Sequence, residues 1–486
     1  MGFVDGITKD YMKNFRKALI VVLLLLSMVC LLMACNDGTD SQNGVNDQNT
    51  NTDLPSNEND GGNDTPEGGD DGAVIKPGIG SNNIFVFEPI ANTKTCYLKS
   101  VSIFNSKVEI PSTNNGLTVV RIAPQVFYRN SVVEEITIPD TVEEIGERAF
   151  SLCVNLKKVN ISPSSQLKKI GDRAFFQCEL LHTFNLPTEL EEVGEEAFSG
   201  CLDLINLNFP QSLVKVGAYA FHSGWLDTVT DLGVVYVAGV AYTYNYSPSD
   251  LTPKEVTLND GTVAIAGKAF YDIDLVSSIS IPHSVEYIGA LALNNSKALT
   301  TISVSEDNDV YSSEGNALIE KATATLLATT PTTIVPAYVE TIGEEAYAYL
   351  DGITTVTLPD SVTAIMVGAF KGSGVVNVNI PSGVTVIEED TFLSCESLSS
   401  ITIHSKIIQI KPASFNYCLS LEEVIIESET IYDILDTPYT CSGLIARANV
   451  VYVKEGLVGQ ADELAVSFMK LTDSDKTGYT KYVREN

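Results

Sequence analysis

The sequence predicts a mainly β solenoid, a right-handed parallel β coil of about ten to eleven turns. Three observations predict it. An apolar residue recurs about every 23 residues, other apolar residues keep fixed distances from it, and β-forming residues alternate near the end of each unit. A unit of this size cannot bury its apolar face alone, so neighbouring units must stack.

The recurring residue, here called the anchor, is usually phenylalanine. Its spacing is 22 to 25 residues, apart from two intervals of 49 and 54 residues that each hold an insertion. The anchors are Phe127, Phe150, Phe175, Phe198, Phe221, Phe270, Leu293, Tyr347, Phe370, Phe392 and Phe415. Stacking places equivalent side chains above one another, so we expect continuous columns through the interior.

The other positions are counted from the anchor. Isoleucine or valine stands at minus five, an apolar residue at plus six, and cysteine at plus three in five units. β-forming residues at plus nine and plus eleven predict one short strand per unit and a parallel sheet. A proline often follows and would end the strand.

Two insertions interrupt the repeat, near residues 228–256 and 305–334. Residues 233–244 alternate apolar and aromatic side chains, which predicts a β-hairpin. Residues 309–328 predict a second hairpin with its turn at 320–322. Each insertion is expected either to cap a break in the array or to form a binding ledge.

The repeat fades after residue 430, so residues 431–486 are expected to form a C-terminal cap and tail. Residues 450–453 predict a last strand, and residues 459–470 have the apolar spacing of a helix. A strand and a helix would cover the exposed end of the apolar columns.

Residues 1–34 have the features of a bacterial export signal. A basic segment and an apolar run precede Leu32-Met33-Ala34-Cys35, which resembles a lipobox. The resemblance implies cleavage before Cys35 and its acylation; an ordinary signal peptide is the alternative. Residues 35–83 are acidic and almost devoid of apolar side chains, so a disordered tether is expected.

The charge balance restricts the function. The formal net charge is −32 and the sequence pI is about 4.4. A chain without a basic stripe cannot offset the repulsion of a nucleic-acid backbone, which argues against that class of partner. The expected contact with a membrane is through the N-terminal lipid only.

No catalytic or metal-binding motif emerges from the sequence. The five plus-three cysteines are expected to be small buried side chains in one column, with disulfides or metal binding as alternatives. Residues 307–314 depart from a calcium loop because Tyr311 replaces a ligand and the glycine is missing. The pairing of Cys96 and Cys441 is undetermined. We therefore expect neither an enzyme nor a cofactor.

Charged residues at minus six are better explained as surface ion pairs than as catalytic carboxylates. They alternate in sign along four successive units: Glu144, Lys169, Glu192 and Lys215. Stacking would bring opposite charges together, with modest stabilisation.

The repeat resembles the BspA-type leucine-rich repeats of bacterial surface proteins, over roughly residues 84–460. Residues 108–119 are similar to the N-terminal cap of that family, which assigns 84–118 to the cap and 119–430 to a leucine-rich-repeat solenoid with insertions. The resemblance implies adhesion: binding to host extracellular-matrix or plasma proteins, or contact between bacteria.

Small hydrogen-bonding residues would face outward from the predicted sheet. At plus ten and plus eight they are Asn160, Asn185, Asn208, Ser280, Ser303, Thr357, Thr402, Thr183, Asn206, Thr301 and Thr355. They form the candidate binding face, and Trp225, Tyr242 and Tyr244 are candidate aromatic anchors for a partner.

The function predicted is therefore a lipid-anchored, cell-surface binding scaffold for extracellular proteins. A glycan-binding lipoprotein is the first alternative, and it would need aromatic platforms on one face. A structural envelope spacer without a ligand is the second. An enzyme is least expected, because the repeat brings no titratable groups together.

Overall fold

The computed structural model describes residues 83–221, 223–428, 448–455, 468–471, 475–477 and 479–484. All of them belong to the compact unit Asp71–Asn486. The predicted signal, the lipidation site, the tether apart from its last residue, Asn83, and Cys441 lie outside the described residues.

Most coils contribute two short strands, so the prediction of one strand per unit is wrong; the coil of Phe198 has the leading strand alone. The leading strand covers positions minus six and minus five, before the anchor. The trailing strand follows it at about plus eight to plus ten, where the alternating pattern predicts it. The leading strands are mostly two residues long, which is too short to leave an alternating pattern in the sequence.

The strands run in chain order as β1 to β33. The leading strands are β2 (Thr95–Ser102), β5 (Leu117–Ile122), β7 (Glu144–Ile145), β9 (Lys169–Ile170), β11 (Glu192–Val193), β12 (Lys215–Val216), β14 (Val240–Asn245), β16 (Ala264–Ile265), β18 (Tyr287–Ile288), β22 (Thr325–Ala328), β23 (Thr341–Ile342), β25 (Ala364–Ile365), β27 (Val386–Ile387) and β29 (Gln409–Ile410). The trailing strands are β3 (Lys107–Glu109), β6 (Glu135–Thr137), β8 (Lys158–Asn160), β10 (Thr183–Phe184), β15 (Lys254–Thr257), β17 (Val276–Ile281), β19 (Thr301–Val304), β24 (Thr355–Val356), β26 (Asn377–Val378), β28 (Ser400–Ile403), β30 (Glu423–Ile426) and β31 (Val450–Lys454). The remaining strands are β1 (Ile84–Pro89), β4 (Thr113–Asn114), β13 (Gly233–Val237), β20 (Tyr311–Glu314), β21 (Ala317–Glu320), β32 (Phe468–Leu471) and β33 (Tyr479–Arg484). In the described ranges there is no α-helix, and one 3₁₀ turn spans Leu226–Thr228.

The anchors form the predicted column. Phe150, Phe175 and Phe198 are buried, and their rings stack at centroid distances of 4.9 and 5.2 Å with interplanar angles of 3° and 6°. Neighbouring strands of both rows pair in parallel between equivalent positions, as Ile170 does with Val193 in the leading row and Val159 with Phe184 in the trailing row. The repeat period of the sequence is therefore the period of the stacked interior.

A tight arc of left-handed backbone surrounds each anchor. Residues at minus two and plus two have positive φ, as in Arg148 (52°) and Leu152 (61°) around Phe150. The arc lets the anchor N–H donate to the residue before the next anchor, as Phe150 does to the Ala174 carbonyl at 2.7 Å. Each coil thus supplies the hydrogen-bond acceptors of the preceding one.

The insertions extend the leading row instead of leaving it. The first hairpin is confirmed: β13 and β14 are antiparallel, and β14 then pairs in parallel with β16. The second predicted hairpin is also present, as β21 and β22, but β20 adds a further antiparallel strand before it. β22 pairs in parallel with β23, so each insertion restarts the ladder at a break.

The two ends are closed by antiparallel strands. At the N-terminal end β1 pairs with β2, which leads into β5. At the C-terminal end the predicted strand is present as β31, and β33 and β32 pair beyond it. The helix predicted at 459–470 is wrong at its end, because Phe468–Leu471 pairs as a strand; residues 459–467 lie outside the described residues.

Candidate binding face

The candidate binding face lies on the outward side of the trailing strands and the residues beside them; Asn206 and Asn208, on the coil of Phe198, lie outside any strand. Residues at plus nine point inward, as Val159 and Phe184 do, and both are buried. Strand alternation therefore turns plus eight and plus ten towards solvent. All eleven residues predicted for the face are at least partly exposed.

Hydrogen bonds tie neighbouring coils together across this face. The Ser303 Oγ lies 3.0 Å from the Ser280 Oγ. The Asn160 Nδ2 donates to Glu135 Oε1 at 2.9 Å. That hydrogen bond, with a second from Lys107, lowers the pKa of Glu135 to about 2. Side chains of the face are thus held in place by their neighbours on adjacent strands.

The face is nearly neutral on a strongly acidic chain. Its eleven residues carry no charge, whereas the chain has a formal net charge of −32. Charged groups stand at its ends, at Glu135, Lys158 and Glu423, and Glu255 interrupts the row near its middle. Partners without strong charge are therefore best matched to it.

Sequence reasoning missed two residues of the face, Asn377 and Asn379. Both are exposed on the coil of Phe370, which is one residue shorter than its neighbours. The strand positions of this coil therefore come one residue closer to the anchor than in the other coils. The interval of 22 residues between Phe370 and Phe392 was the sequence signal that could have located Asn377 and Asn379.

Two open depressions lie on the face. One has a volume of about 460 Å³ and is lined by residues 137–140 and 158–162 together with Thr183 and Asn185. The other, of about 410 Å³, is lined by residues of β24, β26 and β28 and by His404. Burial lowers the pKa of His404 below its usual range.

The aromatic anchors predicted for a partner serve the protein itself. Tyr242 is buried, so its assignment as a surface anchor is wrong: its hydroxyl accepts the Phe221 N–H at 2.8 Å. The Tyr242 hydroxyl takes the place of the backbone carbonyl that a regular next coil would supply as the acceptor. Trp225 packs edge-on against Phe209 at 4.8 Å. Tyr244 is partly buried, 6.1 Å from Phe270.

The plus-three cysteines are free and buried. Each thiol donates to the carbonyl of the anchor one coil earlier, as Cys178 does to Phe150 at 3.1 Å. Burial raises the pKa of Cys395 to about 12. Cys96 is also free and buried. In the part of the chain that the structure describes, no three His, Cys, Asp or Glu side chains converge on a metal site.

The charges at minus six form ion pairs between coils. The Glu192 carboxylate lies 3.0 Å from Lys169 Nζ and 3.5 Å from Lys215 Nζ. Between the coils of Phe127 and Phe150, Arg121 pairs with Glu144 at 3.1 Å. These side chains are substantially exposed, so the pairs contribute little to stability.

The family model of the BspA type leucine rich repeat region matches residues 96–229, 242–320 and 328–440, in six copies. This is more than half of the chain. The chain belongs to the BspA-type leucine-rich repeat family. Proteins of this family are leucine-rich repeat scaffolds of bacterial surfaces. No curated protein matches this leucine-rich repeat protein.

Several solved structures are similar to this leucine-rich repeat protein. A leucine rich cell surface protein from Faecalibacterium prausnitzii is 26% identical, with 84% of this chain and 100% of that one covered and a TM-score of 0.44. The pneumococcal vaccine antigen PcpA is 18% identical, with 73% and 82% covered and a TM-score of 0.37. A leucine-rich repeat protein from Eubacterium ventriosum is 16% identical, with 74% and 88% covered and a TM-score of 0.27.

Within the described ranges, the structure has no helix with the length and apolar character of a membrane span.

Proposed function

We propose that this protein is a lipid-anchored scaffold of a bacterial surface that binds extracellular proteins, in adhesion or protein–protein contact, through its candidate binding face. One observation carries the proposal. Exposed, uncharged hydrogen-bonding side chains follow the trailing strands from Asn160 to Thr402. Side chains on strands are held more rigidly than side chains on loops, which lowers the entropy lost on binding.

The extent of the face favours a macromolecular partner. Small-molecule sites are enclosed concave pockets that bury most of their ligand. Here the two depressions are open, and exposed groups continue beyond them along neighbouring coils. Amide and hydroxyl groups in such a row match the polar part of a protein interface.

Protein is favoured over glycan as the partner. A sugar site would gain from exposed aromatic rings, but Tyr242 is buried and Trp225 packs on the core. Neither depression is lined by Phe, Tyr or Trp. At these two depressions, the glycan-binding alternative therefore lacks the aromatic platforms that it needs.

The surface location is supported by the family and by the N-terminal sequence. Leu32-Met33-Ala34-Cys35 would place the lipid on Cys35. The acidic, polar segment up to residue 83 would then separate the solenoid from the membrane. Acylation at more than one position is needed for stable anchoring.

The binding test uses the full chain and purified collagen, laminin, fibronectin and fibrinogen in biolayer interferometry. We expect at least one of them to bind, and Asn185→Arg with Thr357→Arg to weaken that binding at least tenfold. Thr341→Arg is the matched control, because Thr341 belongs to the leading row. Binding that survives the double substitution, or no binding to any protein, would contradict the proposal.

The anchoring test uses cells that produce the full chain with a labelled fatty acid. Label should enter the wild-type protein and should be absent from Cys35→Ser, while Cys96→Ser keeps it. Equal labelling of wild type and Cys35→Ser would exclude Cys35 as the lipid site.

A further inference from the structure

The short coil of Phe370 interrupts the trailing sheet. β24 pairs with β26, and β28 pairs with β30, but β26 and β28 belong to separate sheets. One backbone hydrogen bond still joins the two coils beside the interruption, from Ser399 N to the Val376 carbonyl at 3.1 Å. The missing residue therefore leaves adjacent strands close together but without a regular ladder.

The interruption coincides with the depression of about 410 Å³. Its floor includes Val378 and Ile380, which are partly exposed. The equivalent inward residues of the flanking coils, Val356 and Ile401, are buried at 7% and 2% exposure. The shortened coil thus uncovers apolar surface in a face that is otherwise polar.

Two polar side chains at the depression already form hydrogen bonds with backbone groups. The Asn379 amide accepts from Leu358 N at 2.7 Å and donates to the Leu358 carbonyl at 2.8 Å. His404 Nε2 lies 3.2 Å from the Pro381 carbonyl, and Nδ1 accepts from Lys406 N at 3.2 Å. The Asn379 bonds join this coil to the coil of Tyr347, and the His404 contact with Pro381 joins it to the coil of Phe392, so these bonds hold the rim in place.

The rest of the rim is available to a ligand. Its side chains are hydroxyls and one amide, and all of them lie in the described part of the chain: Thr355, Thr357, Asn377, Ser400 and Thr402. No side-chain hydrogen bond occupies these five within that part. No Asp, Glu, Lys or Arg lines the depression, so a charged group placed there would lose water without gaining a partner.

We propose that this depression holds one aromatic side chain, Trp or Tyr, from an uncharged segment of a protein partner. The inference rests on the proposed function and assigns one contact of the same face. An aromatic ring would cover the β-branched floor, and its N–H or O–H would reach the polar rim. Buried aromatic anchors of this kind dominate the energetics of protein interfaces.

The other depression of the face provides a contrast within the same molecule. It lies on full-length coils, where Val159 and Ile161 are buried, and Asp140 and Lys158 line it. It has neither the uncovered floor nor the neutral rim, so it should not take an aromatic side chain.

The test follows methyl resonances of the full chain by NMR during titration with N-acetyltryptophanamide and N-acetyltyrosinamide. We expect shifts of Val378 and Ile380 at millimolar concentrations, and none at Val159 or Ile161. Methyl α-glucoside and N-acetyllysinamide are the comparison probes and should leave Val378 and Ile380 unshifted. Stronger shifts with the glucoside would assign the depression to a sugar and overturn the inference, as would equal shifts at both depressions.

Two matched variants separate the inference from the proposed function. Thr355→Arg fills the rim of this depression, and Thr183→Arg makes the same change at the same position, plus eight, beside the other. We expect the first to weaken binding of the aromatic amides at least tenfold and the second to leave it unchanged. Equal effects of the two would overturn the inference. If the amides bind as expected but no matrix protein does, only the proposed function fails.

Discussion

Two runs of regular coils can be compared within this molecule. The first run has its anchors at Phe127 to Phe221, and the last run at Tyr347 to Phe415. Ring centroids stack at 4.7 to 5.6 Å in the first and at 4.9 to 5.3 Å in the last. Both runs also bury cysteines whose thiols donate to an anchor carbonyl. The interior is therefore the same in both.

The runs differ at minus four. After Ala123, the first run has glycine there, because adjacent backbones pass in contact: a Cβ on Gly171 would lie 2.8 Å from Glu147 N. After Gly343, the last run carries Met366, Glu388 and Lys411 at this position. Met366 is 42% exposed, and Lys411 pairs with Glu388 of the preceding coil. The inward columns therefore define the fold, while outward positions accept different side chains.

The largest expected effect tests what the runs share. Phe175→Ala and Phe392→Ala each remove a ring that stacks on both sides, and each should lower the free energy of unfolding by about 3–5 kcal/mol. Denaturant titration of the full chain measures this. A large loss in one run and none in the other would mean that the columns are not equivalent.

The next effect tests what distinguishes the runs. Gly171→Ala forces the Glu147 backbone to move and should cost about 1–3 kcal/mol. Met366→Ala, at the same position of the last run, should change stability by no more than about 0.5 kcal/mol. Thermal unfolding of both variants gives the comparison, and similar losses would contradict it.

The cysteine column predicts a difference between two substitutions at one site. Cys178→Ala removes one of the two donors to the Phe150 carbonyl, which keeps the Cys153 N–H at 3.2 Å, and should cost about 0.5–1.5 kcal/mol. Cys178→Ser keeps a donor and should cost less, since Ser296 already bonds to the Phe270 carbonyl from the equivalent position. If serine were as harmful as alanine, the thiol would act by packing alone.

The smallest effect is a gain in stability. Tyr347 is an anchor of the last run, and its buried hydroxyl has no hydrogen-bond partner among the described residues. Tyr347→Phe should therefore stabilise the protein by about 1 kcal/mol, since an unsatisfied buried hydroxyl is removed. Phe370→Tyr is the reverse control and should be destabilising in the same unfolding assay.

The sequence predicts the columns because every anchor occupies an equivalent buried slot. It does not predict the leading strands, since two residues cannot show alternation. Tyr242 was wrongly predicted to be exposed. At the break between coils, the Phe221 N–H has no backbone carbonyl among the described residues as its acceptor, and the buried Tyr242 hydroxyl accepts this hydrogen bond instead. The helical spacing was misleading at its end, because Phe468–Leu471 pairs with β33 and this pairing overrides local preference.

The candidate face was predictable where coils have regular length, since the count from the anchor locates Asn185 or Thr301. Its depression was not. The shortened coil is visible in the sequence, but the separation of β26 from β28 and the uncovered Val378 depend on how neighbouring coils close around it. The repeat period therefore predicts which residues lie on the face. The effect of a shortened coil on its neighbours can be seen only in the packed structure.

The most direct test of the binding account is the salt dependence of the full chain's affinity for the matrix or plasma protein that it binds. Because the face is nearly neutral, we predict that the dissociation constant changes less than about threefold between 50 and 500 mM NaCl, a range over which exposed charges become strongly screened. A steep loss of affinity with salt would show that the acidic remainder of the surface binds the partner, and would contradict the assignment of this face.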